Sequence, residues 1–354
     1  MELEFRRDFE EVQQRWDAFW RGELVRRPLV SIVVPREGVT PVSKPAWFAG
    51  RDGNFEPVID QLLAWAGTHE FFGEAIPFHQ MEVGPNHFNT LLGADMIYNP
   101  DSDDTGWVLP YVDDWDHADI RFRPDGKWWR LTRDFIRAVR RRCDGKLLLA
   151  APTLVANLDA LSAMRGPERL AMDMVECPEK VHAALRAVTA AFRDVLQALA
   201  QELDYAAWGS INRHGMYKRG AINVPQCDFS CMISPAMFRE FAVPYLRQEA
   251  QAYGAAEYHL DGPDAVKHLE AVCEIKEIEV IQWVPGAGMP ETMDWSGLYR
   301  RIDELGKGQI MWTGGDVNYM QNAWRQYRSR KLFFSCPAAT PAEAREIIRR
   351  LKNE

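Results

Sequence analysis

Tyr258-His259-Leu260-Asp261-Gly262-Pro263 marks the point where an apolar run of the chain stops at a glycine-proline turn. Residues two apart on a strand project from the same face, so a strand ending here puts the His259 imidazole and the Asp261 carboxylate into one site. A related form recurs at Lys331-Leu332-Phe333-Phe334-Ser335-Cys336-Pro337, a short apolar run closed by a thiol just before a turn. Two strand ends therefore offer imidazole, carboxylate and thiol, and a fold that gathers strand ends would bring them together.

Working outward, the chain alternates. Residues 5 to 22 have helical spacing, and Pro28-Leu29-Val30-Ser31-Ile32-Val33-Val34-Pro35 is extended and bounded by prolines, which limit helix. A helix is expected from about residue 55, followed by the run Phe71 to Phe78, and a loop rich in Asp and Trp spans residues 100 to 129. That loop is a candidate cover for a site. Strands are expected at Leu147 to Ala151, Tyr205 to Gly209, Glu257 to Leu260, Val280 to Trp283, Gln309 to Thr313 and Leu332 to Ser335, mostly separated by stretches long enough for a helix. Ser234-Pro235 supplies a helix start, with serine as cap and proline at the first helical position. Such alternation indicates a parallel sheet, and the number of units favours a closed barrel over an open sheet.

The expected fold class is therefore α/β, a (β/α)8 TIM barrel forming a single domain over residues 1–354. Residues 1–50 form a helical N-terminal extension, and the long loop lies over the C-terminal face. Barrel chemistry sits at the C-terminal strand ends, where His259, Asp261, Gln282, Asp316 and Cys336 would converge.

Composition excludes several classes. Hydrophobic residues are 47% and charged residues 26%, ordinary values for a globular protein. No apolar stretch approaches the roughly 20 residues needed to span a bilayer. Met1-Glu2-Leu3-Glu4-Phe5-Arg6-Arg7-Asp8 has no apolar core, so no secretory signal is read and the cytoplasm is the expected compartment. The six cysteines lack close regular spacing and are expected to be reduced thiols. Cys227 and Cys231 have no companion pair that would make a structural zinc site. A formal charge of −9 disfavours nucleic acid as a partner. The basic cluster Arg137-Ala138-Val139-Arg140-Arg141-Arg142 reads as the end of a helix, where cations suit the macrodipole. Among the thirteen tryptophans, Trp208, Trp283 and Trp312 stand near expected strand ends. Broad rings beside polar groups suit a small-molecule pocket, although core packing explains any single tryptophan as well.

Cys227-Asp228-Phe229-Ser230-Cys231-Met232-Ile233-Ser234-Pro235-Ala236-Met237-Phe238-Arg239-Glu240-Phe241-Ala242-Val243-Pro244-Tyr245 resembles the "Asp, then Ser-Pro, Phe, Phe, Pro-Tyr" block of the uroporphyrinogen decarboxylase-like superfamily. The Tyr-His-Leu-Asp-Gly-Pro segment, Ile281-Gln282-Trp283-Val284-Pro285-Gly286, and Cys336 followed by Thr340-Pro341-Ala342-Glu343 keep the order and spacing of that family. The resemblance covers residues from about 145 to the end. It implies a barrel fold and one of three activities: porphyrinogen decarboxylation, zinc-dependent methyl transfer between corrinoid proteins and thiols, or the chemistry of cobalamin-independent methionine synthase.

The branches differ at positions that can be compared. True decarboxylases carry an Arg-Gln-Ala-Gly-Arg stretch that grips propionates; here the comparable region reads Arg27-Pro28-Leu29-Val30-Ser31-Ile32-Val33-Val34-Pro35-Arg36. They also place a His where this chain has Cys336. The methyltransferases use His-x-Cys on one strand end and a Cys on the last, and the resemblance implies His259, Asp261 and Cys336 as the corresponding metal ligands, with carboxylate in place of the middle thiolate. Methionine synthase has a further Glu ligand near the position of Gln282-Trp283, which is lost here. Three protein ligands and an open position make a catalytic zinc site, and the carboxylate makes this one harder, favouring a substrate that presents oxygen. The bland alternative is that Asp261 only orients His259 and that Cys336 is a small buried hydrophobe.

Asp228 lies before the Ser-Pro cap, where the family's acidic residue faces the pocket, and is a candidate to bind substrate or move a proton. Arg213, His214 and Lys218 form a basic loop suited to an anionic group, and His79 and Glu82 are candidates to line the same pocket. The expected function is a zinc-dependent methyltransferase-like enzyme. It would move a methyl group between a methylated small molecule or a corrinoid protein and a small acceptor. Zinc is the expected cofactor, corrinoid would enter only on a partner protein, and the expected assembly is a homodimer.

Two alternatives remain. The first is a metal-free lyase or hydrolase that uses Asp228, His259 and Asp261 as acid and base on a polar or sugar-like substrate. For this chemistry as for methyl transfer, the substrate pocket would be lined by His79, Glu82, Trp208, Arg213, Gln282, Trp283 and Trp312. The second is a corrinoid-binding accessory protein, against which stands the absence of an Asp-x-His-x-x-Gly signature.

Overall fold

Val30, Ile32 and Val34 point to one side of a strand and Leu29 and Ser31 to the other, and this period of two organises the sheet. The computed structural model describes residues 2–99, 105–286, 289 and 293–352. Its strands are β1 (Leu29–Pro35), β2 (His69–Gly73), β3 (Phe78–Gln80), β4 (Met96–Tyr98), β5 (Gly106–Val108), β6 (Leu148–Ala150), β7 (Ser210–Ile211), β8 (Tyr217–Lys218), β9 (Ala256–Asp261), β10 (Ile278–Val284), β11 (Gly308–Trp312) and β12 (Leu332–Ser335). The six-stranded main sheet runs β2-β1-β12-β11-β10-β9. Its pairings are parallel except for the β1–β2 edge, which is antiparallel.

The expected closed eight-stranded barrel is not shown. β3 and β6 form a separate parallel pair, β7 pairs with β8 and β4 with β5. On the far side of β9, a single parallel bridge joins Gln226 to His259, with the His259 N–H donating to the Pro225 carbonyl at 3.0 Å. Prolines and short strands break the ladder here, because proline removes a donor and a three-residue strand carries few hydrogen bonds.

Side-chain parity holds the parts together. One apolar cluster takes Leu29 from β1, Leu148 and Ala150 from β6, Ile211 from β7, Val280 from β10, Ile310 from β11 and Phe333 from β12. The helix Phe9–Arg21 covers this cluster with Phe9, Val12, Trp16, Phe19 and Trp20. The Trp16 and Phe333 rings meet edge to face at 4.9 Å. The opposite parity feeds a second cluster, where Val30, Ile32, Met311, Leu332, Phe334 and Cys336 pack with Val317 and Met320. The largest cluster holds Tyr258, Leu260, Ile281 and Trp283 together with the helices Asn157–Arg165, Pro178–Glu202 and Val243–Tyr253.

Glu74 ties the N-terminal segment to the sheet. It is fully buried, accepts from Arg27 Nη2 and Arg15 Nε at 2.7 Å each, and takes the Val30 N–H at 2.8 Å. It follows Gly73, whose φ of +62° and a Cβ that would lie 2.1 Å from the Val30 oxygen leave room for glycine only.

Several expected elements are observed. The helix Pro235–Phe241 starts as read, with Ser234 Oγ accepting from the Met237 N–H at 3.2 Å. The Arg137–Arg142 cluster is the last turns of the helix Lys127–Cys143, and it is ion-paired: Arg137 to Glu202 at 2.6 Å, and Arg142 to Glu56 and Asp60 at 2.7 Å each. The expected strand at Tyr205 to Gly209 is instead a short helix, Tyr205–Trp208. Asp204 caps it by accepting from the Ala207 N–H, and the strand begins at Ser210. Residues 100–104 of the expected covering loop lie outside the described residues. The remainder of that loop includes β5 and a short turn of helix at Trp115–His117, and Lys127 already begins a helix. The six cysteines are free. Among the described residues no helix is long and apolar enough to cross a membrane.

Candidate functional site

Glu257, His259 and Asp261 occupy alternate positions of β9, on the face opposite to Tyr258 and Leu260. His259 and Asp261 meet Asp228, which begins the short helix Asp228–Met232, and one ligand atom from each of the three lies within 4.8 Å of the others. Among the described residues this is the one group of three or more such side chains close enough to hold a metal ion.

Each member is positioned by neighbours. His259 Nδ1 bonds the Gln282 side-chain oxygen on β10, in register with His259. An amide oxygen only accepts, so Nδ1 carries the proton and Nε2 presents its lone pair. Burial holds His259 well below its usual range, to about 4, with Arg213 adding to the effect, so the ring is neutral at physiological pH. Asp228 Oδ2 accepts from Gln226 Nε2 at 2.8 Å. Burial of the carboxyl and then the Asp261 charge raise its pKa, although the residue as a whole is exposed. Asp261 is raised by burial and lowered by Arg213, and its Oδ1 is buried without a hydrogen-bond partner. A buried oxygen without a partner is costly unless a ligand satisfies it.

A second layer fixes the first. Asp159, from the helix Asn157–Arg165, accepts the Asp228 N–H at 2.9 Å and the Phe229 N–H at 2.8 Å, which seats the loop that carries Asp228. Burial and the Asp228 charge raise the Asp159 pKa. Glu257 accepts from Asn212 Nδ2 at 2.6 Å and from His214 Nδ1 at 2.5 Å. Burial works against the Glu257 charge, yet His214, Asn212 and Arg213 outweigh it and pull the carboxyl below its ordinary range. His214 Nε2 then accepts from Arg213 Nε at 3.3 Å, and Arg213 Nη2 donates to Gln226 Oε1 at 3.0 Å.

The remaining sequence-based candidates divide. His79, Glu82, Arg213 and His214 line one cavity of about 460 Å³. Glu82 accepts from the Thr153 N–H and from Gln80 Nε2, and burial raises it. Trp312 is 52% exposed at the end of β11, with its ring 6.0 Å from His214. Gln282 is in the site, but Trp283, its neighbour of opposite parity, is buried against Trp295 at 4.9 Å. Trp208 lines a small recess with Val139, Cys143 and Leu147, apart from the cluster. Asp316 caps the helix Val317–Gln326, accepting from the Asn318 and Tyr319 N–H groups.

Cys336 is not in the group of three. Its N–H continues the pairing to Ser31, and its side chain shares the parity of Phe334 and joins the outer cluster. Burial raises the thiol pKa, opposed by a hydrogen bond with Thr313. Parity thus separates Cys336 from the group that Asp228 forms with His259 and Asp261.

No spacing or motif in the sequence marks Asp159, Gln226 or Asn212 as members of this site. Glu257 was legible: it lies two before His259 on the strand whose alternation identified His259 and Asp261.

The donor set fits a metal ion. It offers a neutral imidazole with a free Nε2 and two carboxylates, one with an orphaned oxygen, and this arrangement leaves further coordination positions for substrate. No protein-family model matches the sequence, and neither does any curated protein. Among solved structures the fold is similar to that of a methyltransferase from Methanosarcina mazei, with a TM-score of 0.60, 12% identity, and 97% of this chain and 98% of that one covered. At that identity the likeness concerns the fold.

Proposed function

We propose that the chain is a methyltransferase-like enzyme of the uroporphyrinogen decarboxylase-like superfamily. It would move a methyl group between a methylated small molecule or a corrinoid protein and a small acceptor, at a zinc ion held by His259, Asp261 and Asp228. The observation that carries this reading is the convergence of His259 and Asp261 from β9 with Asp228 from the short helix Asp228–Met232, with the His259 tautomer set by Gln282. The methyltransferase named among similar structures supports the reaction class. The inner cluster shared by β1, β6, β7, β10, β11 and β12 supports an interrupted barrel as the scaffold.

When bound, the metal would supply Lewis acidity, lowering the pKa of a coordinated thiol or alcohol. The chain's own residues supply the rest. Gln282 keeps the His259 lone pair directed into the site, and Asp159 and Gln226 keep the Asp228 carboxylate there. Two carboxylates and an imidazole make a harder donor set than thiolates, which favours a substrate presenting oxygen. Arg213 offsets the negative charge of both aspartates.

The test is methyl transfer from a panel of methylated alcohols, thiols and amines to free reduced cobalamin, followed by its absorbance. Activity that disappears after chelation and returns with zinc is expected. Transfer that is unaffected by complete metal removal would contradict the proposal.

One observation favours a second reading. Asp228 has a raised pKa and solvent access, as a general acid or base requires, which keeps metal-free lyase or hydrolase chemistry through Asp228, His259 and Asp261 in view. That reading predicts turnover resistant to chelation and a loss of at least 100-fold on Asp228→Asn.

A further inference from the structure

We infer that the cavity beside the Asp228–His259–Asp261 group binds a small organic carboxylate, with its anionic end between Lys44 and Arg213 and its other end toward that group. The inference deepens the proposed function and relies on it only for the reacting end.

Lys44, Trp47, His79, Glu82, Arg213 and His214 line the cavity, whose volume of about 460 Å³ admits a single-ring molecule. Its two cations are not spent on ion pairs with described residues. Lys44 Nζ stands over the Phe78 ring at 4.0 Å and the Trp65 ring at 5.1 Å, and Arg213 bonds the Gln226 amide oxygen and a His214 nitrogen. His79 is 1% exposed, and its Nε2 is buried without a partner beside Lys44. A buried ring nitrogen with no partner and two cations with no carboxylate at ion-pair distance, all lining one cavity, leave hydrogen-bonding capacity there that a ligand would satisfy. Burial lowers Lys44 to about 8, the behaviour of a cation whose counter-ion is missing.

The charge around the cavity selects a monoanion. Glu82 lines the same cavity as the two cations, so a dianion such as phosphate would meet a carboxyl group beside them. Trp47, 37% exposed, lines the cavity, and Trp312, 52% exposed, meets the His214 ring edge to face at 6.0 Å.

The test titrates the full chain, stripped of metal by a chelator, with benzoate and with benzamide at constant ionic strength, followed by tryptophan fluorescence. Saturable benzoate binding at least 10-fold tighter than benzamide is expected. Lys44→Met should weaken benzoate at least 10-fold without changing the melting temperature, and Arg213→Gln should weaken it at least 10-fold as well. Equal binding of the two probes, no benzoate binding, an unchanged constant in Lys44→Met, or inorganic phosphate competing as well as benzoate would overturn the inference. Because the titration uses metal-free protein, its failure is distinct from failure of the metal site.

Discussion

His259 has one ring nitrogen committed to Gln282 and the other left for the site, and that division of labour is the finest feature on which the functional reading depends. Gln282→Leu should therefore leave the fold intact and weaken zinc binding by roughly 10- to 100-fold, measured by competition with a chromogenic chelator. An unchanged affinity would show that the tautomer is set elsewhere. His259 and Asp261 were legible because strand alternation is a strong local signal, and Glu257 follows from the same rule one step back. Asp159 was not legible. It serves Asp228 from nearly 70 residues away, through backbone N–H groups that no motif records.

At the scale of elements, strand parity decides more than strand position. Cys336 and Trp283 were placed correctly at strand ends, yet each lies on the outward parity and packs into a core. A sequence pattern of continuous apolar residues, such as Leu332-Phe333-Phe334, does not say which face is which, because both faces are buried. Phe333 faces the inner cluster and Trp16 of the N-terminal helix. Phe333→Ala should cost about 3–5 kcal/mol in chemical denaturation and loosen that helix. Tyr205 to Trp208 misled for a different reason, since two aromatic residues around two alanines fit either a strand or a capped turn, and the Asp204 cap decides. Glu74 gathers two arginines and the Val30 N–H, and Glu74→Ala would leave Arg27 buried without its partner. A loss of about 3–5 kcal/mol is expected, with Glu74→Gln milder.

For the whole molecule, buried titratable groups set opposing slopes of stability with pH. His87 is fully buried, with the Val83 N–H donating to Nδ1 and Nε2 bonded to Thr132, and burial lowers it to about 3. The unfolded chain takes up that proton near pH 6.5 and the folded chain only near 3, so stability falls as pH drops through this window. Glu249 behaves in the opposite sense. Burial raises it to about 8, so the unfolded chain ionises first and stability falls as pH rises from about 4.5 to 8. Glu249→Gln should flatten the slope between about pH 4.5 and 8 and gain on the order of 2–4 kcal/mol at pH 8, read from urea midpoints across pH. An unchanged slope would show that another group carries it. The parallel α/β architecture was readable from alternation, whereas closure was not, because β3, β6 and β7 are too short to announce how their ladders end.

The identity of the three ligands is open to a direct test by elemental analysis of metal content, with wild type beside Asp228→Ala, His259→Ala and Cys336→Ser. About one zinc per chain is expected in wild type and in Cys336→Ser, and loss of the metal in Asp228→Ala and His259→Ala. Metal retained in Asp228→Ala but lost in Cys336→Ser would contradict it, as would wild type that takes up no metal when zinc is supplied.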